Sequence, residues 1–241
     1  MHLISLVRRE ATPIRVFLLT LLVVGFLAVG IYVTNERRAT EQHARTNTEW
    51  SLIARPITAN DHTIGPLSAP IQVIVYSSIS CSYCRILFEK QVPRLQTAFG
   101  DQIVIAYRHN PVPSLPNAKV QEPASECVFQ VGGNDAFWKF VHTLFPQAGR
   151  SEAADHDFLA GIAEQSGVSR SSFLACMQSR SGEARVFKDK QEAAIGGLTI
   201  DPSILLKSPH RALIIKGDYY SRIYAGIEYL IDAESQIERG R

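Results

Sequence analysis

Val73–Lys90 reads VIVYSSISCSYCRILFEK. An apolar, β-branched run gives way to Ser-Ser-Ile-Ser, then to two cysteines two residues apart, then to helix formers. Ile71–Tyr76 has the length and composition of a buried strand, entered from Ala69-Pro70 and left through serines. Cys84 to Phe99 then sets Ile86, Leu87, Leu95 and Phe99 at helical spacing, with Pro93 expected to kink the helix. Gly100-Asp101 is a stop, and Gln102–Tyr107, QIVIAY, reads as a second strand. Strand, helix and strand in about 37 residues make a βαβ unit with parallel strands.

The cysteines stand where the first strand turns into the helix. Two intervening residues let both side chains meet across the first helical turn. The first thiol then lies over unpaired N–H groups and the positive end of the helix dipole. A thiolate is stabilised there, and the thiolate is the attacking species in disulfide exchange. Cys81 is therefore the candidate nucleophile and Cys84 the resolving thiol, with Ser82 and Tyr83 between them. A zinc site needs a second ligand pair. The other two of the four cysteines, Cys127 and Cys176, stand alone and far apart, with no histidine at ligand spacing. A redox couple is the expectation; a structural disulfide is the blander alternative. No metal and no organic cofactor is expected.

The chain has 241 residues, 46% apolar and 20% charged, enough for one or two domains with a sizeable core. With 25 basic and 23 acidic residues it offers no reason to expect nucleic acid as a partner. Val16–Val33, VFLLTLLVVGFLAVGIYV, has no charge. As a helix it reaches about 27 Å, close to the roughly 30 Å hydrocarbon core. Arg8, Arg9 and Arg15 before it favour a cytoplasmic segment over residues 1–15. The run is longer than a usual signal h-region, and no small-x-small cleavage site follows it. An uncleaved anchor over residues 16–33 is expected rather than a cleaved signal peptide. Residues 34–60, polar and weakly patterned, read as a tether. A folded domain over residues 61–241 would then lie outside the cytoplasm, where disulfides persist.

Beyond the second strand the chain is proline-rich to Pro123. Helical patterns follow at residues 124–131, 135–145, 155–165, 171–179 and 183–195. They define a helical insertion over about 112–196. Leu198–Leu206 and Arg211–Lys216 read as two strands of a hairpin, and Tyr219–Ile231 as a closing helix. The fold class expected is α/β: a thioredoxin-like fold with a helical insertion, preceded by one N-terminal transmembrane helix.

On APIQVIVYSSISCSYCRILF, ASECVFQVGGNDAFWKFVHTLF and GGLTIDPSILL, the chain resembles the DsbA-family, thioredoxin-fold thiol–disulfide oxidoreductases, over roughly residues 62–232. More narrowly it is similar to a membrane-anchored bacterial group of that family. The resemblance implies an envelope enzyme that forms disulfides in cysteine-containing exported proteins and is reset by a membrane redox partner. It implies a cis-proline at Pro202 facing the CSYC segment, with the neighbouring backbone binding peptide as an added strand. Asp201, Pro202, Ser82 and Tyr83 are the substrate-binding residues on that basis. It further implies a second, structural disulfide between Cys127 and Cys176, against the alternative of two separate buried thiols. A reductase or isomerase of the same fold, and a non-catalytic peptide-binding assembly or chaperone-like factor, stay open beside the oxidase.

The chain departs from the family pattern in two places. Val75 stands six residues before the first cysteine, where related proteins often carry a buried carboxylate. Asp201 stands before Pro202, where Thr, Val or Ile is usual. A carboxylate near Cys81 raises the thiol's pKa; the alternative is that Asp201 faces water or caps a turn. Ser82 and Tyr83 bring no imidazolium, so a moderate oxidant is expected. Arg108-His109 read as a solvated strand end. Phe137, Trp138, Phe140 and Phe145 read as core, and Tyr219, Tyr220, Tyr224 and Tyr229 as a packing face.

Overall fold

β2 (Ile71–Ser77) occupies the centre of a five-stranded sheet of order β1-β3-β2-β4-β5. Its run is apolar on both sides because both faces are covered. Val73 and Val75 sink into one layer, Ile74 and Tyr76 into the other. β3 (Ile103–His109) lies parallel to it, with Val75 opposite Tyr107 and Ser77 opposite His109. β4 (Ser203–Lys207) is antiparallel on the other side and carries β5 (Ala212–Lys216) at the edge. β1 (His62–Ile64) closes the opposite edge, antiparallel to β3. Three residues hold no period, so β1 has no signal in the sequence.

This computed structural model describes residues 17–19, 21–35, 54–115, 117–199, 201–217 and 219–240. The chain divides into two compact units, Met1–Thr46 and Asn47–Arg241. In the first, α1 (Phe17–Asn35) has 19 residues and is long and apolar enough to cross a membrane. The expected cytoplasmic segment 1–15 and most of the tether lie outside the described residues.

The crossover from β2 to β3 is α2 (Ser82–Ile86), a π turn (Leu87–Gln91) and α3 (Val92–Phe99). Pro93 explains the break. In a continuous α-helix its ring would press on the carbonyl of Glu89. The wider turn instead closes with Val92 N–H on Leu87 O, and Pro93 falls in the first turn of α3, where no N–H is needed. The insertion holds α4 (Ala118–Leu144), α5 (His156–Gln165), α6 (Arg170–Ser179) and α7 (Ser181–Ile195). α4 joins two helical segments at Gly133, whose φ of 76° breaks the helix there. Phe137, Trp138, Phe140 and Phe145 are buried with Val75, Phe88 and Tyr107. Cys127 of α4 and Cys176 of α6 are joined in a disulfide, Cα to Cα 5.6 Å. α8 (Tyr220–Arg239) ends at Arg239 rather than Ile231 and packs Ile223, Ile227 and Leu230 on the same core. Of its tyrosines Tyr220 and Tyr224 pack, whereas Tyr219 and Tyr229 are exposed. The second strand of the expected hairpin is β5, whereas the first, β4, starts at Ser203 rather than Leu198.

Two expectations are corrected. The tether does not run to residue 60, because Ala54 and Ile57 are buried against Ala193, Leu198 and Leu205. Arg55 reaches Asp189 at 2.6 Å, and the Pro56 carbonyl accepts from Arg108 Nη2 at 3.1 Å. Nor is Arg108-His109 a solvated strand end: both side chains are fully buried. Arg108 donates from Nε to Asp61 (3.1 Å), and from Nη1 to Glu192 (2.9 Å) and the Tyr76 hydroxyl (3.3 Å). Burial alone would raise the Asp61 pKa, but Arg108, the Thr58 N–H and Arg185 outweigh it and hold the carboxyl below its usual value. Replacing Arg108 by Met leaves Asp61 and Glu192 short of a cation in the interior. It is expected to lower the unfolding free energy by about 3–5 kcal/mol, measured by urea denaturation.

Candidate redox site

Cys81 is the N-cap of α2, with extended backbone (φ −90°, ψ 119°), and its Sγ accepts a hydrogen bond from Cys84 N at 3.3 Å. The turn that brings it there is closed by Cys81 N–H on Ser78 O (3.0 Å) and Arg85 N–H on Cys81 O (3.1 Å). α2 has only five residues, so the direct N–H contributes more to a Cys81 thiolate than a long helix dipole. Both cysteines are free thiols. Cys81 is 8% exposed and Cys84 0%, so the outer sulfur alone is in reach of a partner. Burial raises the Cys84 pKa well above its ordinary value, and the Cys81 sulfur beside it adds to the shift. The Ser77 hydroxyl and the Ser78 backbone pull weakly the other way. Ser82 and Tyr83 are exposed at the mouth.

The loop before β4 faces the pair. The Asp201–Pro202 bond is cis, and the Asp201 carbonyl lies 3.9 Å from Cys81 Sγ. The Asp201 side chain neither points to water nor caps a turn. Its Oδ1 accepts from Asn110 Nδ2 at 2.7 Å, and its Oδ2 is buried without a hydrogen-bond partner. Burial pushes its pKa up; the Asn110 bond opposes this, while Cys81 and Glu122 add to it, to about 7. The structure thus gathers Cys81, Cys84, Asp201, Pro202, Ser82 and Tyr83 in one place. Cys127 and Cys176 sit apart, in the insertion.

Glu122, Glu126 and His62, absent from the sequence-based expectations, belong to this neighbourhood together with Tyr107 and His109. Glu122 of α4 is entirely buried. Its Oε1 accepts from Ser78 Oγ (2.9 Å) and Ile79 N (2.8 Å), in the loop leading to Cys81. Its Oε2 accepts from the Tyr107 hydroxyl (2.9 Å) and His109 Nδ1 (2.7 Å). His109 Nε2 meets Glu126 Oε1 at 2.8 Å, and His62 Nε2 reaches the same oxygen at 2.7 Å. With a carboxylate on each ring nitrogen, His109 donates from both and is an imidazolium. Burial opposes that charge, but the bonds to Glu122 and Glu126 overcome it and lift the pKa to about 10. Burial lowers the His62 pKa, and its buried Nδ1 has no hydrogen-bond partner, as suits a neutral ring. The one local signal was Glu122 and Glu126, a helical turn apart within the otherwise small and apolar QEPASECVF. His62 Nε2, His109 Nε2 and Glu126 Oε1 lie within 4.8 Å of one another, a donor set of the kind a zinc-type ion takes. Each of those atoms is already engaged in the hydrogen-bonded array.

Comparison with known proteins gives the family and the fold. The Thioredoxin_4 family model, described as thioredoxin, matches residues 58–212. Among solved structures, BdbD from Bacillus subtilis superposes with a TM-score of 0.65 at 19% identity, covering 74% of this chain and 97% of that one. The alpha-DsbA1 of Wolbachia pipientis gives 0.63 at 20% identity, covering 75% and 95%. At such identities the likeness is one of fold. Among curated proteins, the Na(+)/H(+) antiporter NhaA 1 of Salinispora arenicola is 30% identical over 147 residues. That match takes in 61% of this chain but 21% of the antiporter, so the chain spans about a fifth of that relative's length.

The raised His109 pKa sets a pH dependence. The stabilisation is complete below the unfolded value near 6.5 and is lost as pH rises towards about 10. The unfolding free energy is expected to fall across that window, and His109→Gln to flatten the fall, in urea titrations at pH 6, 8 and 10.

Proposed function

This chain belongs to the Thioredoxin_4 family, and from that membership we propose that it is an extracytoplasmic thiol–disulfide oxidoreductase working through Cys81 and Cys84. The observation that carries the reading is the unlike pair of sulfurs: one slightly exposed under a backbone N–H, the other sealed behind it. In the oxidised state a substrate thiolate attacks Cys81 Sγ. The substrate–Cys81 bond forms, the Cys81–Cys84 bond breaks, and the electron pair leaves on Cys84. A second substrate thiolate then attacks the substrate sulfur and releases Cys81, leaving the protein as a dithiol and the substrate with a disulfide. Asp201 and Pro202, with Ser82 and Tyr83 across the mouth, form the ledge on which an extended peptide of an exported protein pairs.

The sequence of α1 supports a single span of the cytoplasmic membrane with the redox unit outside, and the Cys127–Cys176 bond supports an oxidising compartment. Exchange between thiols needs no metal or organic cofactor, but a membrane partner has to reoxidise the pair. A reductase or isomerase role draws its support from Asp201. A buried carboxylate beside Cys81 disfavours the thiolate and makes the pair less oxidising.

Cys81→Ser is expected to reduce oxidation of a dithiol peptide to background, while Cys84→Ser, offered a disulfide-bonded peptide, accumulates the mixed disulfide through Cys81. Full activity without Cys81 would discard the redox reading. Equilibration against glutathione fixes the direction: a potential near about −120 mV marks a disulfide donor, one near about −270 mV a reductant. Asp201→Thr is expected to move the pH profile of Cys81 alkylation to lower pH; an unchanged profile removes Asp201 from the account.

A further inference from the structure

The loop that carries Asp201 and Pro202 is tied at both ends to its own neighbours in the chain. Leu198 N–H donates to Ala193 O of α7 at 2.9 Å, and Pro202 O accepts from Gly217 N, just past β5, at 2.8 Å. Between those ends it is held from β3, by the residue that follows the strand. Asn110 N–H donates to Ser77 O at 2.7 Å and so carries the pairing of β2 and β3 one step beyond His109. Pro111 comes next and disfavours a helical backbone at Asn110. With its backbone fixed in this way, the half-buried Asn110 side chain faces the loop. Its Nδ2 donates to Asp201 Oδ1 at 2.7 Å and to Leu198 O at 3.3 Å. Both partners are acceptors, so both N–H groups of the amide are committed to the loop.

We propose that Asn110 is the positioning residue of the substrate ledge, fixing the proline loop against the ends of β2 and β3 and so setting how a peptide lies relative to Cys81. This rests on the redox reading above and adds to it a residue from outside both the CSYC segment and the loop. Asn110 takes the last carbonyl of the strand that leads to Cys81, and it holds the residue whose carbonyl lies 3.9 Å from Cys81 Sγ. It therefore joins the strand that delivers the cysteines to the loop that faces them. Asp201 Oδ2 has no hydrogen-bond partner, so the grip on this carboxylate is at Oδ1.

The physical consequence falls on peptides. An extended peptide that pairs with the loop backbone is placed by it, and its sulfur reaches Cys81 only if loop and cysteine keep their spacing. A displacement of about 1 Å in such a support costs up to about 10²-fold in rate. A small dithiol has no backbone to pair and meets the Cys81 sulfur alone. Loosening the loop thus separates the two kinds of substrate, whereas a general loss of structure or a change in the thiol itself moves both rates together.

The test uses the full chain in detergent, with the Cys81–Cys84 pair oxidised, and compares the rate of oxidation of a dithiol peptide with that of dithiothreitol. Asn110→Ala is expected to lower the ratio of peptide rate to dithiothreitol rate about tenfold. In a chain that already carries Asp201→Ala, the same change is expected to cost less, because the bond to Oδ1 is already gone and only the one to Leu198 O remains to lose. Asn110→Leu, of nearly the same shape but without an N–H, decides the matter should Asn110→Ala fail to fold. A folded Asn110→Ala or Asn110→Leu with the wild-type ratio overturns the proposal. So does a loss of the same size with and without the Asp201 carboxylate. A wild type that oxidises neither thiol would instead overturn the redox reading itself.

Discussion

Everything around the CSYC segment answers to one constraint: Cys84 is sealed from water, yet disulfide exchange requires it to carry charge. Burying an ionised sulfur without partners is strongly unfavourable. The fold meets this at the end of the central strand, where β2 and β3 finish side by side and their last residues face the turn. Ser77 ends β2 opposite His109, the last residue of β3, so polar groups from both strands and from α4 converge behind the turn. The same placement leaves Cys81 the outer, slightly exposed sulfur of the pair, with a backbone N–H on it.

The pleat of β3 then divides the buried charges into two layers. Successive side chains of a strand point to opposite faces. Tyr107 and His109 join the face under α4, where the carboxylates of Glu122 and Glu126 meet them. Arg108 points the other way and gathers Asp61, Glu192 and the Pro56 carbonyl. One layer lies behind the cysteine pair; the other holds the chain entering the domain. A one-residue slip in the pairing of β3 would exchange the two sets and leave every one of these charges unmatched.

The two departures from the family pattern are also explained together. An acid is missing from β2 at Val75, which packs in the core opposite Tyr107. Acids appear instead at Glu122 and Asp201, on elements that close over the site from either side. They differ in their partners. Glu122 is met by four donors, whereas Asp201 is met by Asn110 at one oxygen and by none at the other.

Local pattern alone determined β2, the crossover helix, β3, the helical insertion, the closing helix and the cysteine pair at its junction. Each is carried by a period, a turn residue or a spacing within a few positions. Pro93 was legible as a break, but the π turn that absorbs it was not, since that depends on how the helix is held at both ends. What only the tertiary structure decided is which polar residues are inside. Arg55 meets Asp189 across 134 positions, Arg108 meets Glu192 across 84, and His62 meets Glu126 across 64. No window of sequence holds both partners of such a pair. A lone Arg-His after a strand therefore reads as a solvated end. Burial inverts that reading because a charge paired in the interior looks, in sequence, the same as a charge in water.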